Sequence, residues 1–391
     1  MSERTPTRQS RILLFSQRGF RREFYMCGNY EFEDVIAEID DVSLVTTEAP
    51  DSSLRRWRLW AENSARSAVG RHPNSGIPTV NIEGDYDFFF CILEFGYDAA
   101  MLEKLTNFRR RCRKAACFVI ELWTSEVERY KSSLRLLREL GIDHIFSFNR
   151  SSLDALRQTT AIPCSYLPMA VDCFRFSPAP CFPPRHIDCY SMGRRSPVTH
   201  AALLRLSQNG RFFYMYDSAT GQMISDFVQH RMLIANIIRR SRYFTAYKAG
   251  LDRPRSLLGG DESLMPRLFE AAAGGAIVLG IPPDCPEYQQ CFNWPDSIIR
   301  IPYECDEIED VLAALDLQPE RIEEARRQNI VQSLRRHDWV YRWRTVLETL
   351  GMSPTRSMHL RERRLENLAD ATAAAACLDR STALTSSGFR H

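Results

Sequence analysis

Glu262 and Glu270, with Pro266 and Arg267 between them and Gly274 and Gly275 beyond, form the stretch best suited to chemistry on a polar ligand (residues 259–282, GGDESLMPRLFEAAAGGAIVLGIP). The glycine pair at 259 and 260 permits a tight loop. Pro266 favours the first turn of a helix, where a missing N–H costs nothing. Glu262 then lies in the loop and Glu270 about one turn into the helix. The free N–H groups and positive dipole end at such a helix start suit an anion, for example a pyrophosphate. Arg267 adds a mobile positive charge at the same place. A carboxylate set back like Glu270 can accept two hydrogen bonds from vicinal ribose hydroxyls, and Glu262 can reach hydroxyls of a sugar. Gly274 and Gly275 end the helix and feed an apolar strand. An ordinary loop, helix and strand with surface glutamates has the same residue types, so spacing alone leaves both readings open.

The elements around this stretch repeat a strand–helix alternation. Apolar runs at 11–16, 42–46, 86–93, 117–122 and 144–148 predict strands, and YDFFFCIL (86–93) has the pattern of a strand buried on both faces. Helices are expected over 32–39, 54–68, 101–114 and 127–140. The stretch 166–185 contains five prolines and no helical period, and reads as an extended linker. A second series follows, with strands at 187–192, 212–216, 243–247, 276–281 and 298–301. Its helices are expected over 199–209, 229–239, 265–273, 307–315, 319–334 and 339–350. The predicted organisation is a first Rossmann-like domain over 1–166, a linker over 167–186, a second domain over 187–351 and a poorly ordered tail over 352–391. Such alternation means α/β architecture with doubly wound parallel sheets. Ligands of such sheets sit at the carboxyl ends of the strands. Two of these domains facing each other across a cleft can hold two substrates.

Composition narrows the classes. The net charge of +2 over 391 residues argues against a nucleic-acid binder. Six basic residues without an acidic one occupy 104–114, a run that suits a solvated face or contact with an anionic membrane or acceptor. The twelve cysteines stand singly, without zinc spacing, and read as reduced thiols of a cytoplasmic protein. No apolar run approaches the roughly 18 residues that span a bilayer. Arg18, Arg21 and Arg22 follow the first strand, where they suit either an anionic acceptor or a solvated loop. Glu94 and Glu121 each interrupt an apolar run where a strand ends, which makes them candidates for orienting or deprotonating a substrate hydroxyl.

Three patterns carry a resemblance. Glu262 and Glu270, with seven residues between them, are followed by Ala271-Ala272-Ala273-Gly274-Gly275-Ala276-Ile277-Val278. Leu167-Pro168-Met169-Ala170-Val171-Asp172 precedes Phe176-Ser177-Pro178, and His337-Asp338-Trp339 precedes Arg342. Together these resemble the donor-binding half of group 1 glycosyltransferases of the GT-B fold, including the spore-maturation-type branch. The resemblance spans about residues 140–350; the first 140 residues match in architecture only. It implies two doubly wound Rossmann-like domains and transfer of a sugar from a nucleoside diphosphate sugar to an acceptor hydroxyl. A role in surface polysaccharide or glycoconjugate synthesis, retention of configuration and independence of metal and cofactor are also implied. In a retaining reaction the departing phosphate helps deprotonate the acceptor, and an inverting one needs a carboxylate or histidine base. Glu270, Arg267, Arg194, Arg195, Lys248 and Gly274 are then the expected donor contacts, and Glu262, Glu121 and Glu94 the expected catalytic carboxylates. The expected partners are the nucleotide sugar and a glycan, lipid-linked or protein acceptor, with peripheral contact at the inner face of a membrane. The family's first-strand arginine is matched by Arg194, whereas the lysine five residues on is here Thr199. A degenerate GT-B module that binds a glycan or partner without turnover, and a nucleotide-sugar 2-epimerase, are the competing readings.

Overall fold

The computed structural model describes residues 10–48, 53–218, 223–248, 251 and 261–375, which fall into two compact units. The first holds Met1–Pro168, Arg255–Asp261 and Trp343–Met358, and the second Met169–Pro254, Glu262–Arg342 and His359–His391.

In the first unit the strands are β1 (Ile12–Phe15), β2 (Val42–Val45), β3 (Val80–Asn81), β4 (Tyr86–Phe95), β5 (Leu105–Thr106), β6 (Cys112–Glu121), β7 (His144–Ser147) and β8 (Cys164–Tyr166). Among the described residues six of them form one sheet in the order β2-β1-β4-β6-β7-β8, and every pairing in it is parallel. β4 and β6 are its centre, which is why their apolar runs do not alternate with polar residues. Phe88 and Phe90 point to one face, where Trp343 lies 5.8 and 5.2 Å from their rings. Phe89, Cys91 and Leu93 point to the other, in a core with Leu102, Phe108, Leu134 and Leu137. Trp343 also donates from its indole to Asp40 at 2.9 Å.

The second unit contains β9 (Ile187–Ser191), β10 (Tyr214–Tyr216), β11 (Ser241–Tyr247), β12 (Ile277–Ile281) and β13 (Ile299–Arg300). Among the described residues they form a parallel sheet in the order β10-β9-β11-β12-β13. Each unit therefore has the expected doubly wound α/β sheet.

Three expectations are corrected. Residues 101–114 do not make one helix: a 3₁₀ helix Gly96–Lys104 and a short helix Phe108–Arg111 precede β6, which already begins at Cys112. Asn107 at φ +65 breaks the path, and the pairing of Cys112 with Tyr86 starts the strand. The basic side chains therefore do not share a helix face.

The segment expected as an extended linker is packed into the second unit beyond Pro168. Val171, Cys173 and Phe176 are buried, Val171 exchanges backbone hydrogen bonds with His337 and Trp339 at 3.0 and 3.2 Å, and Arg342 donates to the Met169 carbonyl at 2.9 Å. The tail also has structure, since Arg356–Ala374 is a helix. Arg361, Leu365 and Ala369 recur every four residues and form its buried stripe. Arg361 binds Asp172 at 2.7 Å and Asp338 at 2.8 Å, tying the second and third sequence patterns together through one buried guanidinium. Residues 376–391 lie outside the described residues.

Candidate functional site

The carboxyl ends of β9 and β11 and the start of the helix Pro266–Ala273 surround a small pocket of about 70 Å3 in the second unit. Its wall includes Arg194, Tyr247, Lys248, Met265, Arg267 and Tyr303. Pro266 occupies the first turn of the helix, as its fixed φ favours, and Met265 provides no side-chain cap. Arg267 donates to the Met192 carbonyl just beyond β9. Gly193 makes that approach possible: it sits at φ +71, and an added Cβ would fall 2.2 Å from the guanidinium. Burial pulls the Arg267 pKa down, against the opposing pull of Glu270 and Asp217, and Arg194 adds to the lowering. Three cationic side chains thus meet one pocket, the electrostatics an anionic ligand requires.

Both motif carboxylates are engaged. Glu262 pairs with Lys248 and accepts the Asp284 N–H at 2.5 Å. Glu270 is buried and pairs with Arg231, whose guanidinium also stacks 4.6 Å from the Phe176 ring centre. Its second oxygen, Oε2, has no hydrogen-bond partner among the described residues. Glu270 is not part of the pocket wall; Arg267, three residues earlier on the helix, is. Gly274 stands at the far end of that helix, where an added Cβ would lie 2.4 Å from Ile238, and its carbonyl accepts from Arg185 at 3.0 Å. Close packing accounts for Gly274.

Arg195 is likewise not in the pocket wall. It donates to the Asp217 carbonyl at 2.6 Å and stacks over Tyr216. The position where the resembled family has a lysine is filled for structural reasons: Thr199 is buried, donates to the Tyr303 carbonyl at 2.7 Å and accepts the Cys305 N–H at 2.9 Å. Sequence reasoning missed Arg231 and Asp217. Arg231 had a signal, because it lies on the same helical face as the apolar Ile234, Ala235 and Ile238. Asp217, which accepts the Gly193 N–H at 2.8 Å, had none.

In the first unit Glu94 and Glu121 lie near the carboxyl ends of the neighbouring strands β4 and β6. Burial pushes the Glu94 carboxyl up to about 8, opposed by a 2.7 Å hydrogen bond from Asn29 and reinforced by the charge of Glu121. Burial also lifts Glu33 to about 7, with Arg18 opposing, and Asp98 to about 6, with Arg21 opposing. Arg18 binds Glu33 and Asp34 at 2.8 Å each, and Arg21 pairs with Asp98. Both arginines are thus ion-paired within the unit, where the sequence left an anionic acceptor or a solvated loop as their surroundings.

The family model described as glycosyl transferase-like matches residues 209–348, a span that contains the helix Pro266–Ala273, β11 and β12. That segment is glycosyl transferase-like, and the chain has the GT-B fold. No curated protein matches this chain in sequence. Among solved structures, it is similar in fold to Anabaena HepE in complex with UDP-glucose, at 12% identity and a TM-score of 0.50, covering 88% of this chain and 99% of that one. A second similar fold is the N-terminal domain of Candida albicans trehalose-6-phosphate phosphatase, at 8% identity and a TM-score of 0.56, covering 90% and 99%. Among the described residues no helix is long and apolar enough to cross a membrane.

Proposed function

We propose that this glycosyltransferase moves a sugar from a nucleoside diphosphate sugar, held in the second unit, to an acceptor hydroxyl of a glycan, lipid-linked or protein substrate. The observation that carries the reading is the convergence of Arg194, Lys248 and Arg267 on one pocket at the strand ends. These cations meet the diphosphate and stabilise its charge as it leaves, the role a metal fills in other transferases. Arg267 turns from the Met192 carbonyl to the phosphates when the donor enters, and Glu270 Oε2 then accepts from the ribose hydroxyls. Glu262, already at the pocket with Lys248, receives a hydroxyl of the donor sugar. In the first unit Glu94, neutral at physiological pH through burial, orients an acceptor hydroxyl by hydrogen bonding. The reaction retains configuration, and its product belongs to a surface polysaccharide or glycoconjugate.

The test is release of free nucleotide from a panel of UDP-, GDP- and ADP-sugars, with and without acceptor extract and with EDTA. The expected result is release from one class of donor, stimulated by extract and unaffected by EDTA, with the anomeric configuration preserved in the product. No release from any donor favours a binding module. For the ribose contact, the wild type should prefer a ribonucleoside diphosphate over its 2′,3′-dideoxy analogue about tenfold, the worth of one charge-assisted hydrogen bond. Glu270→Gln keeps an oxygen for Arg231 and should lose most of that preference; an undiminished preference contradicts the assignment.

A further inference from the structure

We infer that the helix Ser53–Ala68 in the first unit docks on an anionic lipid surface, inserting Trp57 and Trp60 among the headgroups. The helix is held to its own unit by one side. Asn63 donates to the Asn74 carbonyl at 3.0 Å and accepts the Asn74 N–H at 2.6 Å, and Arg66 donates to the His72 carbonyl at 2.8 Å. Leu59 fills the space beside Gly76, where an added Cβ would come within 2.6 Å of it. Among the described residues the opposite side makes no such hydrogen bond. Trp57 and Trp60 are 66% and 67% exposed, and the next residues along their face, Ser64 and Ala68, are small and exposed. The chain's other four tryptophans, at 123, 294, 339 and 343, are each at most 8% exposed.

Charge selects the occupant. Residues 53–71 carry Arg55, Arg56, Arg58, Arg66 and Arg71 against Glu62, and Glu62 is met by Arg66 at 3.7 Å on the anchored side, which leaves the other arginines in excess. An indole is the side chain that settles at the water–lipid boundary, and a helix with tryptophan on one face and arginine around it lies in that plane. Each nearby arginine adds attraction to anionic headgroups. The run at 104–114 is a poorer docking surface, because Arg109, Arg111 and Arg113 are paired with Asp143, Asp85 and Asp87. The lipid contact therefore belongs to the tryptophan helix rather than to the denser basic run.

The test uses the full-length chain, sedimented with vesicles of phosphatidylcholine alone or of phosphatidylcholine and phosphatidylglycerol in equal parts. The wild type should sediment with the mixed vesicles and bind the neutral ones about tenfold more weakly. Trp57→Ser with Trp60→Ser should weaken binding to mixed vesicles by about tenfold or more, with an unchanged melting curve, since both rings are exposed. Arg58→Glu should weaken it less, and Arg110→Glu, in the other basic run, should leave it unchanged. Wild type that stays in the supernatant, or a double variant that sediments like wild type, overturns the proposal. So does a wild-type dimer that the double substitution splits without any lipid binding. Nucleotide release from the donor panel should be the same in the double variant, which separates this result from the fate of the proposed transfer.

Discussion

The carboxyl ends of the two sheets carry opposite charge logic on the same architecture. In the first unit the buried titratable groups there are acids: Glu33, Glu94 and Asp98 are raised by burial to about 7, 8 and 6. In the second, Arg194, Lys248 and Arg267 line a pocket, and Glu262 and Glu270 are already paired with cations. Parallel sheets of the same construction thus end on carboxyls raised by burial in one unit and on a cationic pocket in the other. The strands set where a ligand sits; the residues just past them set what it is.

The sharpest way to break this comparison is to remove a cation that holds the second unit's buried acid. Arg231→Ala leaves the Glu270 carboxylate buried without its partner and should cost about 3–5 kcal/mol in denaturant unfolding, whereas little change would mean the pair is not load-sharing. Next comes the acid edge. Between the ordinary carboxyl value of about 4.3 and the folded value of about 8, the unfolded chain has released the Glu94 proton while the folded chain keeps it. Stability therefore falls as pH rises through that window and levels off above it. Glu94→Gln should lessen this slope and recover on the order of 4 kcal/mol at pH 8, read from unfolding curves at several pH values. A parallel slope in the variant would place the pH dependence elsewhere.

Gly193→Ala is a smaller perturbation. The residue would be held at φ +71 with its methyl group against Arg267, so a loss of about 1–3 kcal/mol is expected, together with weaker nucleotide binding. Arg194→Ala should be the mildest for the fold. Its side chain is exposed, so the melting temperature should stay within about a degree or two while nucleotide affinity drops.

Much of the fold was legible because its signals are local. The uninterrupted apolar runs of β4 and β6, and Pro266 ahead of an apolar helix, each state their own structure. Glu262 and Glu270 were legible as a pair by spacing, but their partners were not. Lys248 and Arg231 come from elements 14 and 39 residues away, joined only when the sheet forms. The tail helix was missed although Arg361, Leu365 and Ala369 kept helical spacing, because the stripe has a charged member whose partners, Asp172 and Asp338, lie far back in the chain. The prolines of 167–186 suggest an extended linker. Proline constrains the local path and does not report whether Val171, Cys173 and Phe176 find a core.

Whether the second unit's cationic pocket holds a nucleoside diphosphate is decided by calorimetric titration of UDP, GDP and ADP into wild type and Arg194→Ala. Wild type should bind one of the three, and Arg194→Ala, folded as wild type, should bind it about tenfold more weakly through loss of one charged phosphate contact. Equal affinity in the two proteins, or no binding of any of the three nucleotides by wild type, would contradict that assignment.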